Sequence, residues 1–585
     1  MHNKTDSNAT VSATVGVTRL TADIVIAGGS LSTPAAALQA ARSWPEARIL
    51  VIEPTDWLGG QTTSQGVPVI DNAWHEPGRS IMLNEPERHY PADYLAFLKA
   101  LESPPEEAPG LGSGGDGCGW VSREPFDPRT AAWILDAMVA KHPNIQLLYQ
   151  TVVKAVQTEP VDDEQGEGRR IVGLDLVQRK PINGYRPFDD YLSDEIADWY
   201  EPLDSGRFAK HPFHVAARDD RDLVVVDASE LADVVVLSGA EYSVGRETET
   251  EDPAADGSLP AMDEAGSQCI VFPFCITGSA TAIDERELQK PFPDFAASFE
   301  RLTDNFFSLG TKSWINVWCY RRLKAAGPRH TYAQADLDDV TNINWYPGND
   351  YPYGSILKDK SQAAAEAALS WFGGVNLVHL AGAEQQAVAF YFYLKSHPER
   401  RLETRFLKGD DPLNMMGTRH GLAKFPYIRC TRRIVGLKGF RLNESHFVDT
   451  DGIGYAQTTS YPFPDTVGIG NYAVDIHPLL TSKGLSPGLE KAAPFHIPYR
   501  SLASHNVRNL LVGGKLIAGT YITNAAYRLH PIEWAIGNAA GAAAALMAKG
   551  QWTNYDLLDA VTLRCLQEEI SRNSPIHWPT LQTSP

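Results

Sequence analysis

Two histidines stand out as candidates for proton transfer, because imidazole is the side chain that titrates near neutral pH. His477 and His530 are each followed by a proline, which stiffens the local backbone. Asp475 lies two residues before His477 and can orient it only if the chain bends locally between them. A lone histidine is often a hydrogen-bonded structural residue, so both interpretations stay open for each ring.

Arginines are the candidates for holding an anionic substrate, since the planar guanidinium binds a carboxylate through two parallel hydrogen bonds. We single out Arg429 in the segment YIRCTRR and Arg528 in the segment YRLHP. The first segment also carries Arg432 and Arg433, and such a cluster is also common at a solvated or salt-bridged edge. The cysteines show no paired metal-ligand spacing, so no metal site is predicted.

The segment DIVIAGGSLSTPAAALQAAR has the pattern of a strand, a tight turn and a helix. Such a unit binds a dinucleotide when the turn reads Gly-x-Gly-x-x-Gly, because the glycines let a pyrophosphate approach the helix N-terminus. Here the three positions are Gly28, Ser30 and Thr33. The Ser30 hydroxyl can donate to a phosphate, whereas Thr33 is expected to push the helix slightly outward. Pro34 suits the first helical position, with Ser32 or Thr33 as the cap.

A carboxylate follows where a nucleotide ribose would lie. Glu53 ends the second apolar strand, 25 residues after Gly28, and can accept a hydrogen bond from a ribose hydroxyl. A capping or surface glutamate is the plain alternative. A carboxylate here also disfavours a 2′-phosphate, so NADP is not expected as the ligand. The loop LGGQTTSQG then places Gly59 and Gly60 where backbone can pass close to a flat or charged ligand.

The bulk composition bounds the class of protein. The chain has 585 residues, 43% hydrophobic and 21% charged, which is typical of a globular protein with two domains. Its formal net charge of -20 disfavours nucleic acid as a partner, since binding phosphates requires clustered Lys and Arg. Six scattered cysteines and a polar N-terminus without a signal segment favour a cytoplasmic location. The most apolar stretch, WAIGNAAGAAAALMA, is too short to predict a membrane span.

The order of strand and helix patterns predicts an α/β protein whose nucleotide-binding domain is assembled from both ends of the chain. An α+β substrate domain, rich in Trp, Tyr and Pro, is inserted between the nucleotide-binding segments. The predicted parts are a flexible tail at 1–20, the nucleotide-binding domain at 21–160, 220–245 and 501–550, a β-hairpin and connecting segment at 161–219, the substrate domain at 246–500, and a C-terminal helix at 551–585.

Several segments together resemble one flavoprotein family. They are EPTDWLGGQTTSQGV, VVVDASELADVVVLSGAEY, PYIRCTRRIVG, IGNYAVDIHP and the stretch from IPYRSLASHN to AIGNAAG. The chain resembles the FAD-dependent oxidoreductases whose members are often labelled xanthan-lyase-like, within the wider glutathione-reductase-type flavoproteins. The resemblance covers most of residues 22–180, 220–245 and 410–550. It implies a tightly held FAD in a Rossmann-like domain of glutathione-reductase type.

The resemblance also assigns contacts with FAD residue by residue. The sequence departs from the family pattern at Ser30 and Thr33, where glycines are usual, and at Cys430, where an acidic residue is expected. The implied cofactor-binding residues are Gly28, Gly29, Ser30, Ser32 and Thr33 at the pyrophosphate, Glu53 and Pro54 at the ribose, Gly59, Gly60, Gln61 and Thr62 on the flavin side, Val153 facing the adenine through its backbone, Ala228 and Ser229 over the adenosine end, and Gly514 and Lys515 near the isoalloxazine.

The last long helix carries an electrostatic argument. Pro531 suits its first turn, so its free N–H groups point back toward YRLH with about half a positive charge. Placed at the flavin, that charge would stabilise the reduced ring, which is negative around N1 and the C2 carbonyl. A plain packing helix is the alternative.

The expected reaction is oxidation of a small organic substrate, an alcohol, amine or acid, by hydride transfer to flavin N5. Two other functions stay open: a flavoprotein that uses FAD without net redox change, as a hydratase, isomerase or lyase, and a binding protein with a degraded nucleotide fold. No second nucleotide site for NAD(P)H is evident. The sequence leaves open the substrate, the electron acceptor, covalent attachment of FAD and a homo-oligomeric state.

Overall fold

The computed structural model describes residues 16–71, 89–110, 118–119, 125–219, 221–248, 262–303, 313–325, 334–447, 462–481, 488–490, 492 and 494–578. Its helices, labelled in chain order, are α1 (Ser32–Ser43), α2 (Ala92–Glu102), α3 (Pro128–Val139), α4 (Leu192–Tyr200), α5 (Asp233–Leu237), α6 (Phe295–Thr303), α7 (Trp314–Tyr320), α8 (Lys360–Leu369), α9 (Leu377–Ser396), α10 (Tyr521–Tyr527), α11 (His530–Gly550) and α12 (Ala560–Ser571). Its strands are β1 (Thr18–Ala22), β2 (Ile24–Ala27), β3 (Ile49–Ile52), β4 (Cys118–Gly119), β5 (Ile145–Leu148), β6 (Thr151–Asp163), β7 (Gly166–Pro181), β8 (Phe208–Ala217), β9 (Val224–Asp227), β10 (Tyr242–Ser243), β11 (Ile270–Val271), β12 (Phe274–Ser279), β13 (Arg321–Lys324), β14 (Val340–Ile343), β15 (Asp350–Tyr351), β16 (Glu403–Phe406), β17 (Arg433–Ile434), β18 (Thr466–Gly470), β19 (Val474–Ile476), β20 (Gly488–Glu490), β21 (Phe495–Pro498) and β22 (Leu510–Val512).

A five-stranded parallel sheet brings distant segments of the chain together in the order β22-β9-β2-β3-β5. Strands β2, β3, β9 and β22 are short, buried and mostly apolar, as expected of a parallel sheet covered on both faces, whereas the edge strand β5 is partly exposed. The prediction of an α/β fold with strands from both ends of the chain is confirmed. The carboxyl ends of these strands lie at one edge, which positions the loops described below.

Helices α1 and α11 pack directly on each other beside this sheet. The contact depends on two glycines of α11, Gly537 and Gly541. A Cβ on Gly537 would lie 2.5 Å from the carbonyl oxygen of Ser32, and one on Gly541 would come even closer to that of Ala36. Any side chain at either glycine would therefore push the two helices apart. Within the described part of the chain, no helix combines the length and hydropathy needed to cross a bilayer.

A second sheet has the order β1-β8-β7-β6, and its outer strand changes one prediction. Strand β1 pairs in parallel with β8, with Thr18 opposite Phe213. The predicted tail therefore becomes ordered before residue 20, because Thr and aliphatic side chains favour extended backbone and β8 offers an open edge. Residues 1–15 of that tail lie outside the described residues. The segment predicted as a hairpin and connection also contains helix α4, between β7 and β8.

A third sheet, in the order β16-β12-β14-β13-β4, is antiparallel and packs with helices in the middle of the chain. Helix α9 contacts α6, α4 and several of the neighbouring strands. This α+β part contains most of the segment predicted as the substrate domain. Strand β4 joins it from residues 118–119, which lie outside the predicted range of 246–500.

Candidate functional site

The turn after β2 is tight enough to require its first glycine. Gly28 N–H donates to the Ile52 carbonyl at 2.7 Å. A Cβ on Gly28 would lie 2.5 Å from that oxygen and 2.7 Å from the Thr33 methyl group. Thr33 therefore fits in place of the usual third glycine because Gly28 has no side chain to meet it.

Helix α1 starts earlier than predicted, at Ser32 rather than Pro34, because Leu31 already has helical backbone angles of -68° and -19°. The Ser32 hydroxyl does not cap the helix; it donates to the backbone carbonyl of Glu533. The Ser30 hydroxyl is buried and has no hydrogen-bond partner among the described residues. A free hydroxyl beside a helix N-terminus is a favourable place for a phosphate.

Glu53 is fully buried at the end of β3, which contradicts its interpretation as a surface residue. Its Oε1 accepts hydrogen bonds from Thr55 N–H at 3.0 Å and from the Thr55 hydroxyl at 2.8 Å. Its Oε2 has no partner among the described residues. Burial raises the pKa of Glu53 to about 8, although the bonds from Thr55 oppose the shift. The free oxygen can accept one further hydrogen bond, as a ribose hydroxyl would donate.

A cavity opens beside these residues, at the edge where the carboxyl ends of β2, β3 and β9 lie. Sequence analysis predicted several of its lining residues, but missed the aromatic ones, Trp199, Tyr200 and Phe425. Ala228 lies next to the cavity, with its carbonyl accepting from Ser30 N–H at 3.1 Å, whereas Val153 is buried in β6 and does not line it. The lining residues are Gly28, Gly29, Pro54, Thr55, Ser64, Trp199, Tyr200, Ser229, Glu230, Leu231, Asp233 and Phe425.

The glycine-rich loop after β3 packs directly on the turn after β2. Gly59 and Gly60 have φ angles of 119° and 52°, which favour glycine. A Cβ on Gly60 would lie 2.6 Å from the Cα of Ser30. The Thr62 hydroxyl closes the loop by donating to the Gly59 carbonyl at 2.8 Å. The structure thus places this loop directly against the turn that contains Ser30.

Lys515 is the centre of a buried charged cluster beside this loop. Gly514 precedes it with a φ angle of 60°. The Lys515 Nζ lies 2.6 Å from Glu230 Oε1 and 3.4 Å from Glu533 Oε1. Gln61 Nε2 donates to the other oxygen of Glu533 at 2.8 Å. Burial raises the pKa of Glu533 to about 7; Glu230 adds to the shift and Lys515 opposes it.

Sequence analysis missed both carboxylates of this cluster. Glu230 directly follows Ser229 in the segment DASE, and Glu533 lies in the first turn of α11. The acidic residue in the first turn was a usable signal for Glu533, since helix N-termini attract negative charge. Glu533 Oε2 also accepts from Leu31 N–H, at 3.3 Å, at the start of α1.

The residues along this edge fit a nucleotide ligand such as FAD. Ser30 Oγ, Glu53 Oε2 and Gln61 Oε1 are buried polar atoms that lack a hydrogen-bond partner among the described residues. Buried polar atoms are normally paired, so these three atoms leave hydrogen bonds that a ligand at this edge can complete. The hydroxyl and phosphate groups of a dinucleotide can supply the donors and acceptors they lack.

His530 is not free to transfer a proton to a substrate, because both of its ring nitrogens contact backbone groups. Its Nδ1 accepts from Asp71 N–H at 3.1 Å, and its Nε2 lies 3.3 Å from the Val67 carbonyl. The ring is fully buried, and burial lowers its pKa to about 4, with Asp71 opposing the shift. Both ring nitrogens contact backbone groups of residues 67–71. The ring therefore connects this segment to the start of α11.

His477 lies between two aspartates, Asp475, which the sequence predicted as its partner, and Asp350. Its Nε2 is 3.2 Å from Asp475 Oδ2, so the chain does bend as that pairing requires. Its Nδ1 is 2.6 Å from Asp350 Oδ2, a contact across 127 positions. The Asp350 side chain is 1% exposed, whereas those of His477 and Asp475 are 16% and 24% exposed. The open side of the cluster is therefore at His477 and Asp475.

The two candidate arginines join the same cluster, with their terminal nitrogens already occupied. Arg429 donates to Asp350 at 3.0 Å and to the Cys269 carbonyl at 2.6 Å. Arg528 donates to Asp475 Oδ2 at 3.0 Å. Neither fork is free to clamp a substrate carboxylate, because each guanidinium neutralises an aspartate of the chain. Burial alone would raise the pKa of Asp475, but His477 and Arg528 lower it below its usual range, so Asp475 stays ionised.

The remaining polar residues of YIRCTRR are buried rather than solvated. Arg432 donates to the Leu231 carbonyl at 2.7 Å, and Arg433 pairs with Glu247 at 2.7 Å. Cys430 is buried beside Arg433, and burial raises the pKa of its thiol. The segment is therefore buried and salt-bridged, as one of the alternatives held, and it is not solvated. Among the described residues, no group of three or more His, Cys, Asp or Glu is placed to hold a metal ion.

Tyr427 connects the cofactor side to the His477 cluster, and sequence analysis did not identify it. Its hydroxyl accepts from Arg528 Nη1 at 2.8 Å. The Lys515 Nζ lies 5.1 Å from the centre of its ring, and the Arg429 guanidinium lies 5.5 Å from it. Lys515 from the cofactor edge and both arginines of the His477 cluster thus meet around one aromatic ring.

Comparison with known families gives a match over most of the chain. The family described as FAD dependent oxidoreductase matches residues 23–186 and 221–570. A search of curated proteins finds no match.

The solved structures that match are distant in sequence and superpose weakly. The quinol fumarate reductase subunit FrdA of E. coli, in a mutant form, is 10% identical, with 95% of this chain and 74% of that chain covered at a TM-score of 0.30. The adenylylsulfate reductase of Archaeoglobus fulgidus is 11% identical, with 95% and 74% covered at a TM-score of 0.31. THI4 of Thermovibrio ammonificans is 16% identical, with 39% and 67% covered at a TM-score of 0.21.

Proposed function

This chain belongs to the FAD-dependent oxidoreductase family, and we propose that it oxidises a small organic substrate by hydride transfer to flavin N5, with His477 taking the accompanying proton. The observation that carries the proposal is the meeting of two clusters at Tyr427. Lys515 approaches the ring from the cofactor edge, and Arg528 approaches its hydroxyl from the His477 cluster. A substrate at the open side of His477 would therefore lie close to the cofactor edge.

We further propose that the residues implied by the family resemblance hold FAD along the carboxyl edge of the parallel sheet. When bound, FAD supplies N5 as the acceptor of the hydride. Ser30 and the start of α1 would hold the pyrophosphate, and Glu53 Oε2 would accept from a ribose hydroxyl. The buried, unpartnered atoms of both side chains support this placement.

The proton acceptor in this proposal is Nε2 of His477. Asp350, buried and held by Arg429, accepts a hydrogen bond from Nδ1–H. Nε2 contacts Asp475 in the free protein; in the proposal the substrate replaces Asp475 as the partner of the neutral ring, and Nε2 then takes the proton. Arg528 holds the displaced Asp475. Oxidation of an alcohol or amine then breaks its C–H bond with two electrons leaving for the cofactor, while its O–H or N–H proton moves to His477.

The proposed architecture is a Rossmann-like FAD-binding domain of the glutathione-reductase type, with the α+β substrate domain inserted within 246–500. The shared parallel sheet of segments from both ends of the chain supports it. We also propose a cytoplasmic location, which agrees with the free thiols of Cys269, Cys275, Cys430 and Cys565.

The test is anaerobic reduction of the bound flavin by panels of alcohols, amines and acids. We expect a yellow protein that one class bleaches, and His477→Ala should slow bleaching about 10²- to 10⁴-fold while retaining the colour. His577→Ala, at an exposed histidine, serves as the control and should bleach at the wild-type rate. Substrate turnover without bleaching would favour the non-redox alternative, and a colourless protein that refuses added FAD would overturn the proposal.

A further inference from the structure

The aspartates around the His477 cluster are each paired with an arginine. The pairs are Asp475 with Arg528 at 3.0 Å, Asp350 with Arg429 at 3.0 Å, and Asp71 with Arg321 at 2.9 Å. We propose that this arrangement selects a neutral substrate, an alcohol that carries at least one further oxygen atom, over an amine or an acid. The inference rests on the proposed oxidation at His477 and names the class of its substrate.

The third pair belongs to the same surroundings, because Tyr472 is close to both Asp71 and Asp475. Burial raises the pKa of the Tyr472 hydroxyl, and the charges of the two aspartates raise it further. Arg528, the partner of Asp475, opposes the shift. One tyrosine hydroxyl therefore senses the charges of two of the three pairs, which places these pairs around one site.

Charges that are already paired do not attract a charged substrate. A cationic amine needs a carboxylate that is not neutralised, and an acid needs a guanidinium whose fork is free. Asp475 is the most exposed of the six side chains, at 24%, and Arg528 neutralises it. A charged substrate would enter this site without a counter-ion, which is costly where water is largely excluded. An alcohol carries no charge and avoids this cost.

The loop between β14 and β15 places aromatic side chains beside His477. The Tyr346 ring packs nearly perpendicular to the His477 ring, with the ring centres 4.9 Å apart. The backbone N–H of Trp345 donates to Asn349 Oδ1 at 2.8 Å. The Asn349 amide is fully buried and donates in turn to the Phe272 carbonyl at 3.1 Å. Asn349 thus anchors the backbone of the loop that carries both aromatic residues.

Two buried polar atoms of this loop have no hydrogen-bond partner among the described residues, Trp345 Nε1 and the Tyr346 hydroxyl. The Trp345 ring centre lies 5.0 Å from that of Tyr320. Tyr320 is in turn close to Asp475, whose charge adds to the burial that raises the pKa of Tyr320. The indole N–H can only donate, so it requires an oxygen acceptor. A second oxygen on the substrate supplies it, while the first gives its proton to His477.

The experiment compares four compounds that share a benzylic C–H bond and differ in charge and oxygen content. They are α-methylbenzyl alcohol, styrene glycol, α-methylbenzylamine and mandelate, and the set is repeated on cyclohexyl and alkyl skeletons. The second-order rate constant of anaerobic flavin reduction is measured for each compound. We expect the two neutral compounds to exceed the amine and the acid by about tenfold or more. The glycol should exceed the alcohol about fivefold, because it can complete one more hydrogen bond.

Two substitutions shift the balance of charge in opposite directions. Asp475→Asn leaves Arg528 without its carboxylate and should raise the rate constant for mandelate relative to the alcohol about tenfold. Arg528→Gln leaves Asp475 uncompensated and should raise the rate constant for the amine relative to the alcohol by a similar factor. Each ratio is taken within one variant, so a general loss of activity cancels. Where a variant bleaches too slowly, dissociation constants from the flavin spectrum give the same ratios.

Trp345→Phe keeps an aromatic ring and removes the N–H donor, so it should abolish the preference for the glycol over the alcohol. Trp552→Phe is the matched control, since Trp552 follows the far end of α11, and it should leave this preference unchanged. Faster reduction by the amine or by mandelate in the wild type, or unaltered ratios in both charge variants, would overturn the inference but leave hydride transfer intact. A flavin that no compound of any skeleton bleaches would instead refute the proposed oxidation.

Discussion

The cofactor edge and the His477 cluster are built in different ways. At the cofactor edge, most of the candidate residues follow strand ends within a few positions of a glycine-rich turn, and backbone groups make many of the contacts. In the His477 cluster, side chains that lie 79 and 127 positions from Asp350 are joined to it as charged partners. The first arrangement is local in sequence, whereas the second depends on the whole fold.

The two regions also differ in what a single substitution removes. At the cofactor edge, loss of one side chain leaves the turn and the sheet intact, so ligand affinity should change more than folding. In the His477 cluster, loss of one charge leaves another charge buried without a partner. That is strongly destabilising in proteins, so stability and activity should fall together.

The largest effect is expected for Asp350→Ala. It removes the buried partner of both Arg429 and His477, and should reduce the free energy of unfolding by about 3–5 kcal/mol. Anaerobic bleaching of the flavin should also be lost, even at a temperature where the variant is folded. Chemical denaturation and bleaching rates measure the two effects. An exposed pair gives the control, since Asp284→Ala should leave both quantities unchanged; wild-type stability in Asp350→Ala would show that the cluster is not held by its charges.

Next in size is the pH dependence that Glu533 imparts to stability. Its pKa is about 7 in the folded protein and near 4.3 in an unfolded chain, so the folded state binds the proton more tightly. The stability this group contributes is complete below about pH 4.3 and is lost as the pH rises through 7. Glu533→Gln should flatten the pH profile of unfolding between pH 5 and 8, by roughly 3 kcal/mol at most. Profiles that superimpose after a constant offset would contradict this expectation.

A smaller effect, confined to the cofactor edge, is expected for Glu53→Ala. Glu53→Ala leaves the buried ribose hydroxyl without an acceptor, which costs about 1–3 kcal/mol and weakens FAD roughly 5- to 100-fold. FMN has no adenosine ribose and should bind as tightly as before. Titration of the flavin-free protein with each flavin compares the two. A parallel loss of FMN affinity would mean that Glu53 supports the fold rather than the ligand.

The smallest effect tests the residue that connects the regions. Tyr427→Phe keeps the ring beside Lys515 but removes the hydroxyl that Arg528 donates to. One lost hydrogen bond of this kind is worth about 1 kcal/mol, so bleaching should slow only about fivefold. The affinity for FAD should not change. A lower affinity for FAD in this variant would show that the cofactor edge and the His477 cluster are energetically coupled.

The contrast also explains how far the sequence alone could lead. The parallel sheet, the turn at Gly28, the carboxylate Glu53 and the loop at Gly59 follow from short-range patterns, and the structure places them together. The start of α1 was two residues wrong, because Leu31 already adopts helical angles without a capping side chain. Residues 18–20 were expected in a tail because nothing in their own sequence reveals the open edge of β8.

Contacts between side chains that are distant in sequence could not be predicted from the sequence. His530 and His477 look alike in sequence, each followed by proline, yet one is held by backbone groups and the other by two aspartates. Arg429 and Arg528 were expected to have free guanidinium groups because their partners are distant in sequence. Asp350 lies 79 positions from Arg429, and Tyr427 lies 101 positions from Arg528. Trp199 and Tyr200 gave no signal either, since an aromatic pair on an amphipathic helix is most often core packing.

The glycine contact between α1 and α11 has a consequence for biosynthesis. The turn at Gly28 emerges from the ribosome about five hundred residues before Gly537 and Gly541, the two glycines against which helix α1 packs. Until that late helix is made, the early one has no partner to cover it and Glu533 is absent from its N-terminus. The cofactor pocket therefore cannot be complete before the residues from 530 onward have emerged, and a nascent chain that stalls earlier lacks one of its walls.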